Sequence, residues 1–395
     1  MIRLYDSKEA CCGCTACMNV CPTRSITMEE DEEGFPYPKI DPASCTECNA
    51  CVKVCPFHPR DHRDAIPKGQ EVSAVKHQDS NVRKNSSSGG VFTALSDYVL
   101  DRGGIVYGAA FNERYEVIHG KAADKKQRDG MRGSKYVQSK LGTVFEDIRL
   151  ELRQGKLVLF TGTPCQNDGL KSFLGKEYDN LILCDIACHG VPSPKVWEMY
   201  KGYLEDRYQQ EIRGVNFRCK DRGWRNSSLK VEFDGNTYLR NMQEDPYYIM
   251  FFSHLIIRPS CHRCVYASYH RVTDLTLADF WGIENAGKAF DDDTGVSLLL
   301  ANTEKGKEIT ERIKPDICLI RSSHKECYQP IFEAPTGSSP RRQVFWKDYL
   351  ENGGKDIINK YGRLSFTQVA IKKIAVPILK KTGLYKIVEK IYYKR

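Results

Sequence analysis

The sequence predicts an α/β protein, a mixed sheet flanked by helices, with a small cysteine-rich module ahead of it. Two short apolar runs, Leu157–Phe160 and Leu181–Ile186, are too brief for helices and end in turn residues. Such runs fit strands buried on both faces of a largely parallel sheet. Gln166–Leu174 between them reads as the crossover helix. The N-terminal region breaks this alternation and instead carries two closely spaced cysteine repeats.

At 395 residues the chain has room for two or three domains and a substantial core. Its 17 cysteines far exceed ordinary usage. The opening MIRLYDSKEACC has no apolar signal region, and no run reaches the roughly 18 apolar residues of a membrane span. A cytoplasmic location is therefore expected, where dense cysteines are metal ligands rather than disulfides. The formal net charge is +8, but from Leu364 onward eight Lys and Arg face one Glu. The tail thus holds +7 and leaves +1 for everything before it. So neutral a body argues against a nucleic-acid-binding surface.

Residues 11–22 read CCGCTACMNVCP and residues 45–56 read CTECNACVKVCP. Both contain C-x2-C-x2-C-x3-C-P, and each cysteine of the pattern recurs 34 positions later. This is a duplication of the bacterial ferredoxin type, in which the fourth cysteine of each run ligates the other cluster. One 4Fe-4S cluster then takes Cys11, Cys14, Cys17 and Cys55, and the other takes Cys45, Cys48, Cys51 and Cys21. Zinc, the competing reading of paired CxxC motifs, leaves the triple spacing and both prolines unexplained. Cys12 lies outside the repeat and reads as a spectator. The module, residues 1–60, is an electron wire without a substrate site.

A polar stretch follows, with 61–70 as the linker, and then a strand at Val72–Lys76. In NSSSGGVFTALSDYVL (85–100), Ser and Gly precede an amphipathic helix, a pattern that suits either phosphate binding or an ordinary Ser cap. Gly104–Phe111 and Val117–Ala122 read as a hairpin, and GSKYVQS (133–139) as a polar loop before a helix at Gly142–Arg153. No G-x-G-x-x-G follows a strand, so a nicotinamide site has no support.

Ligands of open α/β sheets sit beyond the carboxyl ends of the strands. There the sequence places Thr161, Gly162, Thr163, Pro164 and Cys165 after one strand, and Cys188, His189 and Gly190 after the next. Beyond a helix at Lys195–Tyr208, strands at Gly214–Phe217 and Leu229–Phe233 flank RCKDRGWRN (218–226), which reads as a solvated basic loop. Cys261 and Cys264 form a further CxxC. With Cys165 and Cys188 they make the ligand set of a third cluster, while Cys184 packs in the core. The tail 364–395 spaces Ile371, Ile374, Ile378, Leu384, Ile387 and Ile391 helically, with lysines opposite. It suits peripheral contact with an anionic membrane face, docking on an acidic partner, or packing on the body.

The segments SSSGGVFTAL, GSKYVQS, LFTGTPCQ, CHGVPSP, CHRC and DFWG occur in this order. In them the chain resembles the beta subunits of coenzyme F420-reducing hydrogenases and dehydrogenases over about residues 70–325. The resemblance implies a mixed α/β fold, noncovalent FAD and an iron–sulfur cluster beside it. It divides the body into a flavin-binding part, 71–154, a cluster-binding part, 155–330, and an extension, 331–363. Carried onto matching positions, it implies that Ser88, Gly89 and Gly90 lie near the flavin phosphates. It likewise implies that Ser134, Lys135, Tyr136, Gln138, Thr161, Gly162 and Thr163 surround the flavin. The expected function is an iron–sulfur flavoprotein oxidoreductase taking electrons from ferredoxin or a similar redox protein and passing them to a small-molecule acceptor. His189 is its candidate proton donor. A non-catalytic electron-transfer subunit is the alternative.

Overall fold

The computed structural model describes residues 2–57, 69–327 and 329–364. The expected amphipathic tail and most of the linker lie outside the described residues.

The N-terminal module holds α1 (Ala16–Val20), a hairpin of β1 (Ile26–Glu30) and β2 (Pro36–Ile40), and α2 (Ala50–Lys53). Both helices are short, each carrying the third cysteine of its repeat and ending before the fourth. Each begins after a left-handed residue, Thr15 or Asn49, which turns the CxxCxxC loop around an interior.

The body opens with β3 (Glu71–His77), α3 (Ser80–Lys84) and α4 (Val91–Leu100), then β4 (Ile105–Phe111) and β5 (Val117–Ala122). Next come α5 (Lys125–Asp129), α6 (Val144–Arg153), β6 (Val158–Gly162), α7 (Pro164–Leu174) and β7 (Leu181–Ile186). After α8 (Pro194–Tyr208), strands β8 (Gly214–Cys219), β9 (Ser228–Glu232) and β10 (Thr237–Asn241) form a separate three-stranded antiparallel sheet. Then follow α9 (Pro246–Phe252), β11 (Leu275–Asp279), α10 (Ile283–Gly287), β12 (Ser297–Ala301), α11 (Glu304–Arg312) and β13 (Ile317–Ser322). Helices α12 (Arg342–Asn352) and α13 (Gly354–Tyr361) close the described chain.

The main sheet has eight strands in the order β13-β3-β12-β11-β7-β6-β4-β5. Strands β4, β6, β7 and β11 are mutually parallel, β3 runs the same way, and β5, β12 and β13 oppose them. The sheet is mixed, as expected. Side chains alternate between its faces. Val106, Leu159 and Ile182 pack toward α4, whereas Tyr107, Phe160 and Leu183 pack toward α6 and α7. The helix after SSSGG is shorter than the motif, because residues 85–90 are a loop and Gly90, at φ +90°, caps α4 with no side-chain cap.

The N-terminal module is built into the body. Cys12, Cys14, Ala16 and Val54 share a core with α6, α7 and the sheet, and Phe35 and Tyr37 share another with α8 and α9. Gly169, mid-helix in α7, makes the first contact possible. A Cβ there would lie 2.8 Å from both Cβ and Sγ of Cys14. Gly169→Ala therefore trades about 1 kcal/mol of helix propensity against an overpacking cost of about 1–3 kcal/mol. Both Gly169→Ala and the bulkier Gly169→Val should lower the thermal unfolding midpoint, Val more than Ala, in anaerobic melting of the full chain.

Candidate metal centres and the edge of the sheet

Two cavities lie within the N-terminal module. One is lined by Cys11, Cys14, Cys17 and Cys55 together with Cys12, Leu4, Met28 and Phe57. The other is lined by Cys21, Cys45, Cys48 and Cys51 with Ile2, Ile26 and Ile40. The duplication thus brings together the sets expected from the crossed pattern, each loop's three thiols with the other loop's fourth. The thiols surround space rather than meet at a point. Among the described residues, no three His, Cys, Asp or Glu side chains are gathered tightly enough for a single ion. Cys48 is exposed, whereas Cys14 and Cys51 are buried.

The third set forms where two strand ends meet a returning loop. Cys165 opens α7 directly after β6, and Cys188 follows β7. Segment 191–193 then pairs with 256–258: Ser193 N–H donates to Ile256 O, and Arg258 N–H to Val191 O. That pairing draws Cys261 and Cys264 toward the strand ends. The four thiols act on one another. Burial, then the charge of Cys264, pushes the Cys261 thiol up to about 12, and burial, then Cys165, pushes Cys264 up to about 11. Burial followed by Cys261, Cys165 and Cys264 raises Cys188 as well. Thiols crowded into so dry a place resist ionising on their own, and an all-cysteine donor set of this kind fits an iron–sulfur cluster.

Cys12 is no spectator. Its buried thiol packs with and acts on those of Cys14 and Cys165, which places it between the first set and the third. That contact is the chief cause lowering the Cys165 thiol. Cys184 is buried in the sheet core, as expected.

Sequence reasoning also missed Arg258. It is fully buried, its Nε donates to Cys11 O at 2.9 Å, and its Nη2 donates to Pro36 O at 3.0 Å. Its Nη1 reaches Gln138 Oε1 at 3.0 Å, and Gln138 Nε2 donates to Cys12 O at 3.2 Å. Nη2 also lies 3.8 Å from Cys11 Sγ, and the guanidinium covers the Tyr37 ring at 4.2 Å. The only sequence signal was a lone Arg ending the apolar run Leu255–Ile257 just ahead of Cys261.

The remaining candidates lie along the carboxyl edge of the sheet. Ser88, Gly89 and Gly90 follow β3, and Thr161, Gly162 and Thr163 end β6. Four strand spacings, roughly 19 Å, separate β3 from β6. Segment 133–139 links these ends. Ser134 N–H donates to Ser87 Oγ at 2.7 Å, and at the far end Ser139 Oγ bonds His119 Nδ1 at 2.8 Å. Tyr136, between them, packs on Phe217, Tyr248 and Phe251, and its hydroxyl accepts from Arg218 Nη1 at 3.3 Å.

Residues 218–226 differ from the solvated loop expected. Arg218 and Trp224 are buried, and Asp279 of the DFWG turn accepts from both, at 2.8 and 2.9 Å. Trp224 stacks on the half-exposed Trp281 with ring centroids 4.7 Å apart.

Two cations flank the SSSGG loop. Lys135 Nζ donates only to Gly130 O and Arg132 O, and burial lowers its pKa to about 7. Lys220 Nζ donates to the carbonyls of Arg83, Ser88 and Thr294, and burial lowers it to about 8. Among the described residues neither ammonium has a carboxylate salt bridge. Gly89 itself is occupied by the fold. Its N–H donates to Ser297 Oγ, and a Cβ there would lie 2.3 Å from Val75 O.

His189 Nε2 lies 3.2 Å from His254 Nε2, and burial lowers its pKa to about 4, so it is neutral at pH 7.

The comparisons with known proteins agree with the two halves of this geometry. Residues 155–324 match the family described as the C terminus of the coenzyme F420 hydrogenase/dehydrogenase beta subunit. Residues 10–58 and 37–93 match two 4Fe-4S dicluster domain families, so the N-terminal module is of the iron–sulfur dicluster type. A chain of the F420-reducing [NiFe] hydrogenase complex from Methanosarcina barkeri, in a xenon-derivatised structure, is similar at 18% identity with a TM-score of 0.42. The match covers 72% of this chain and 89% of that one. No curated protein matches. No helix among the described residues is long and apolar enough to cross a membrane.

At the β6 end of the beta-subunit domain, His119 Nε2 donates to Thr161 O, so Nδ1 accepts from Ser139 Oγ, which in turn accepts from Gln166 Nε2. Burial lowers this histidine to about 4. Its unfolded value is near 6.5, so its contribution is complete above pH 6.5 and is lost as pH falls toward 4. A shift of that size is worth about 3 kcal/mol. The fall in melting temperature from pH 7 to pH 5 should be smaller in His119→Gln than in the wild-type chain.

Proposed function

We propose that the chain is an iron–sulfur flavoprotein oxidoreductase that takes electrons from a ferredoxin-like donor at the N-terminal module and delivers them to a small-molecule acceptor at the sheet edge. When bound, three 4Fe-4S clusters would exchange single electrons and FAD would pair them for hydride transfer. The observation that carries this reading is the unbroken succession of thiols, from exposed Cys48 through the Cys11 set and Cys12 to Cys165, Cys188, Cys261 and Cys264.

In this reading the cysteines hold the clusters in three groups of four. Lys135 and Lys220 bind the flavin's pyrophosphate beside the Ser88–Gly90 loop. Segment 134–138 orients the ring system along the strand ends toward Thr161–Thr163 and the third thiol set. Gly89 keeps that loop pressed on β3 and β12, so its role is to shape the cradle rather than to face a phosphate. This same observation favours a second reading, an electron-transfer subunit without bound FAD. The two separate on whether the isolated, reconstituted chain holds flavin and turns over with a soluble acceptor.

Anaerobic reconstitution should yield about twelve irons and one FAD per chain. Cys48→Ser and Cys188→Ser should each lose about four irons. Lys135→Met should keep its irons and lose most of its flavin, as read by iron assay and by absorbance of released flavin. Full flavin occupancy in Lys135→Met would reject the pyrophosphate assignment.

A further inference from the structure

Arg258 is a full positive charge sealed inside the protein, and among the described residues no carboxylate pairs with it. Its donors go to carbonyls of Cys11 and Pro36 and to the amide oxygen of Gln138, all uncharged. Burying an unpaired ion costs far more than these neutral bonds return. The Cys11 thiol, which carries negative charge only as a metal ligand, lies 3.8 Å from Nη2 at the wall of the first cysteine cavity. Neither cavity has a cation in its lining, but Arg258 reaches a thiol of the first set, whereas the second set, Cys21, Cys45, Cys48 and Cys51, includes the exposed Cys48. The two halves of a duplicated motif are therefore placed in electrostatically different surroundings.

We propose that Arg258 is a positioning residue for electrons: its buried charge raises the reduction potential of the cluster held by Cys11, Cys14, Cys17 and Cys55 relative to the outer N-terminal cluster, biasing transfer inward. The inference rests on the iron–sulfur reading above. Cluster potential follows local charge, hydrogen bonds to the sulfurs and exposure. An added electron makes a cubane more negative, so a fixed cation held in low dielectric stabilises the reduced form and does so with little screening by salt. The step is a one-electron exchange between two cubanes of like composition, one oxidised as the other is reduced, with no proton or bond transferred. Cys12, lying between Cys14 and Cys165, then marks the side from which the electron leaves.

The test is a redox titration followed by electron paramagnetic resonance on the full reconstituted chain, with signals assigned from Cys48→Ser and Cys188→Ser. Arg258→Gln removes the charge, and Gln138→Glu sets an anion against Nη1 while leaving the guanidinium in place. Either should lower the inner cluster's reduction equilibrium at least tenfold, about 59 mV for one electron, without moving the outer one. Arg258→Lys, which keeps the charge, should restore most of the shift. Unchanged inner potentials in the variants that retain their irons would overturn the proposal. Loss of the inner irons in both Arg258→Gln and Gln138→Glu would also overturn it, leaving a structural clasp. If Cys14→Ser loses no iron, it is the iron–sulfur reading of this set that fails instead.

Discussion

The buried guanidinium of Arg258 is the constraint on which the joining of the two halves depends. Its three hydrogen-bonding directions reach the CCGC loop, the β2 strand and segment 133–139, and its own backbone is paired to the loop after β7. A planar fork with fixed angles can satisfy these partners only if all of them are in register. The clasp therefore transmits geometry from the thiols of the module to those of the sheet edge.

Around that clasp the body contributes surfaces rather than new chemistry. Helix α7 presents Gly169 where Cys14 needs space and Cys165 where the next thiol set begins, so one helix sets the spacing of both. The sheet edge supplies the rest. The His119–Ser139–Gln166–Thr163 chain fixes the loop after β6, and Asp279 holds Arg218 and Trp224 beside Tyr136. In each case a buried polar group is satisfied by partners from other elements, which gives the edge a single arrangement.

What could be read from sequence was whatever is local or periodic. The strands at 158–162 and 181–186, the α7 crossover and the hairpin of β4 and β5 stand where the sequence placed them, because a short apolar run bounded by turn residues needs no distant partner to be recognised. The paired thiol cavities were equally legible, since a spacing of two and three residues is itself a geometry. The β1–β2 hairpin and β10 were not laid out by any such signal, and nothing marked β8 and β9, though read as strands, as a sheet of their own. Cys12, Arg258, His119 and the interior character of Arg218 and Trp224 were misread or missed for one reason. Their burial is produced by residues 20 or more, and in the case of Arg258 and Cys11 247, positions away. Composition marks such residues as polar and local, and only the packed chain makes them otherwise.

The separation between Cys11 and Arg258 also has a meaning in time. A ribosome adding 5–20 residues per second takes roughly 12–50 s to pass from one to the other. Throughout that interval the CCGC loop exists without Gly169 beside it for part of the period, and without its cation for all of it. The thiols emerge early and their enclosure arrives late. Iron loading of the module and closure of the body thus compete on the same clock.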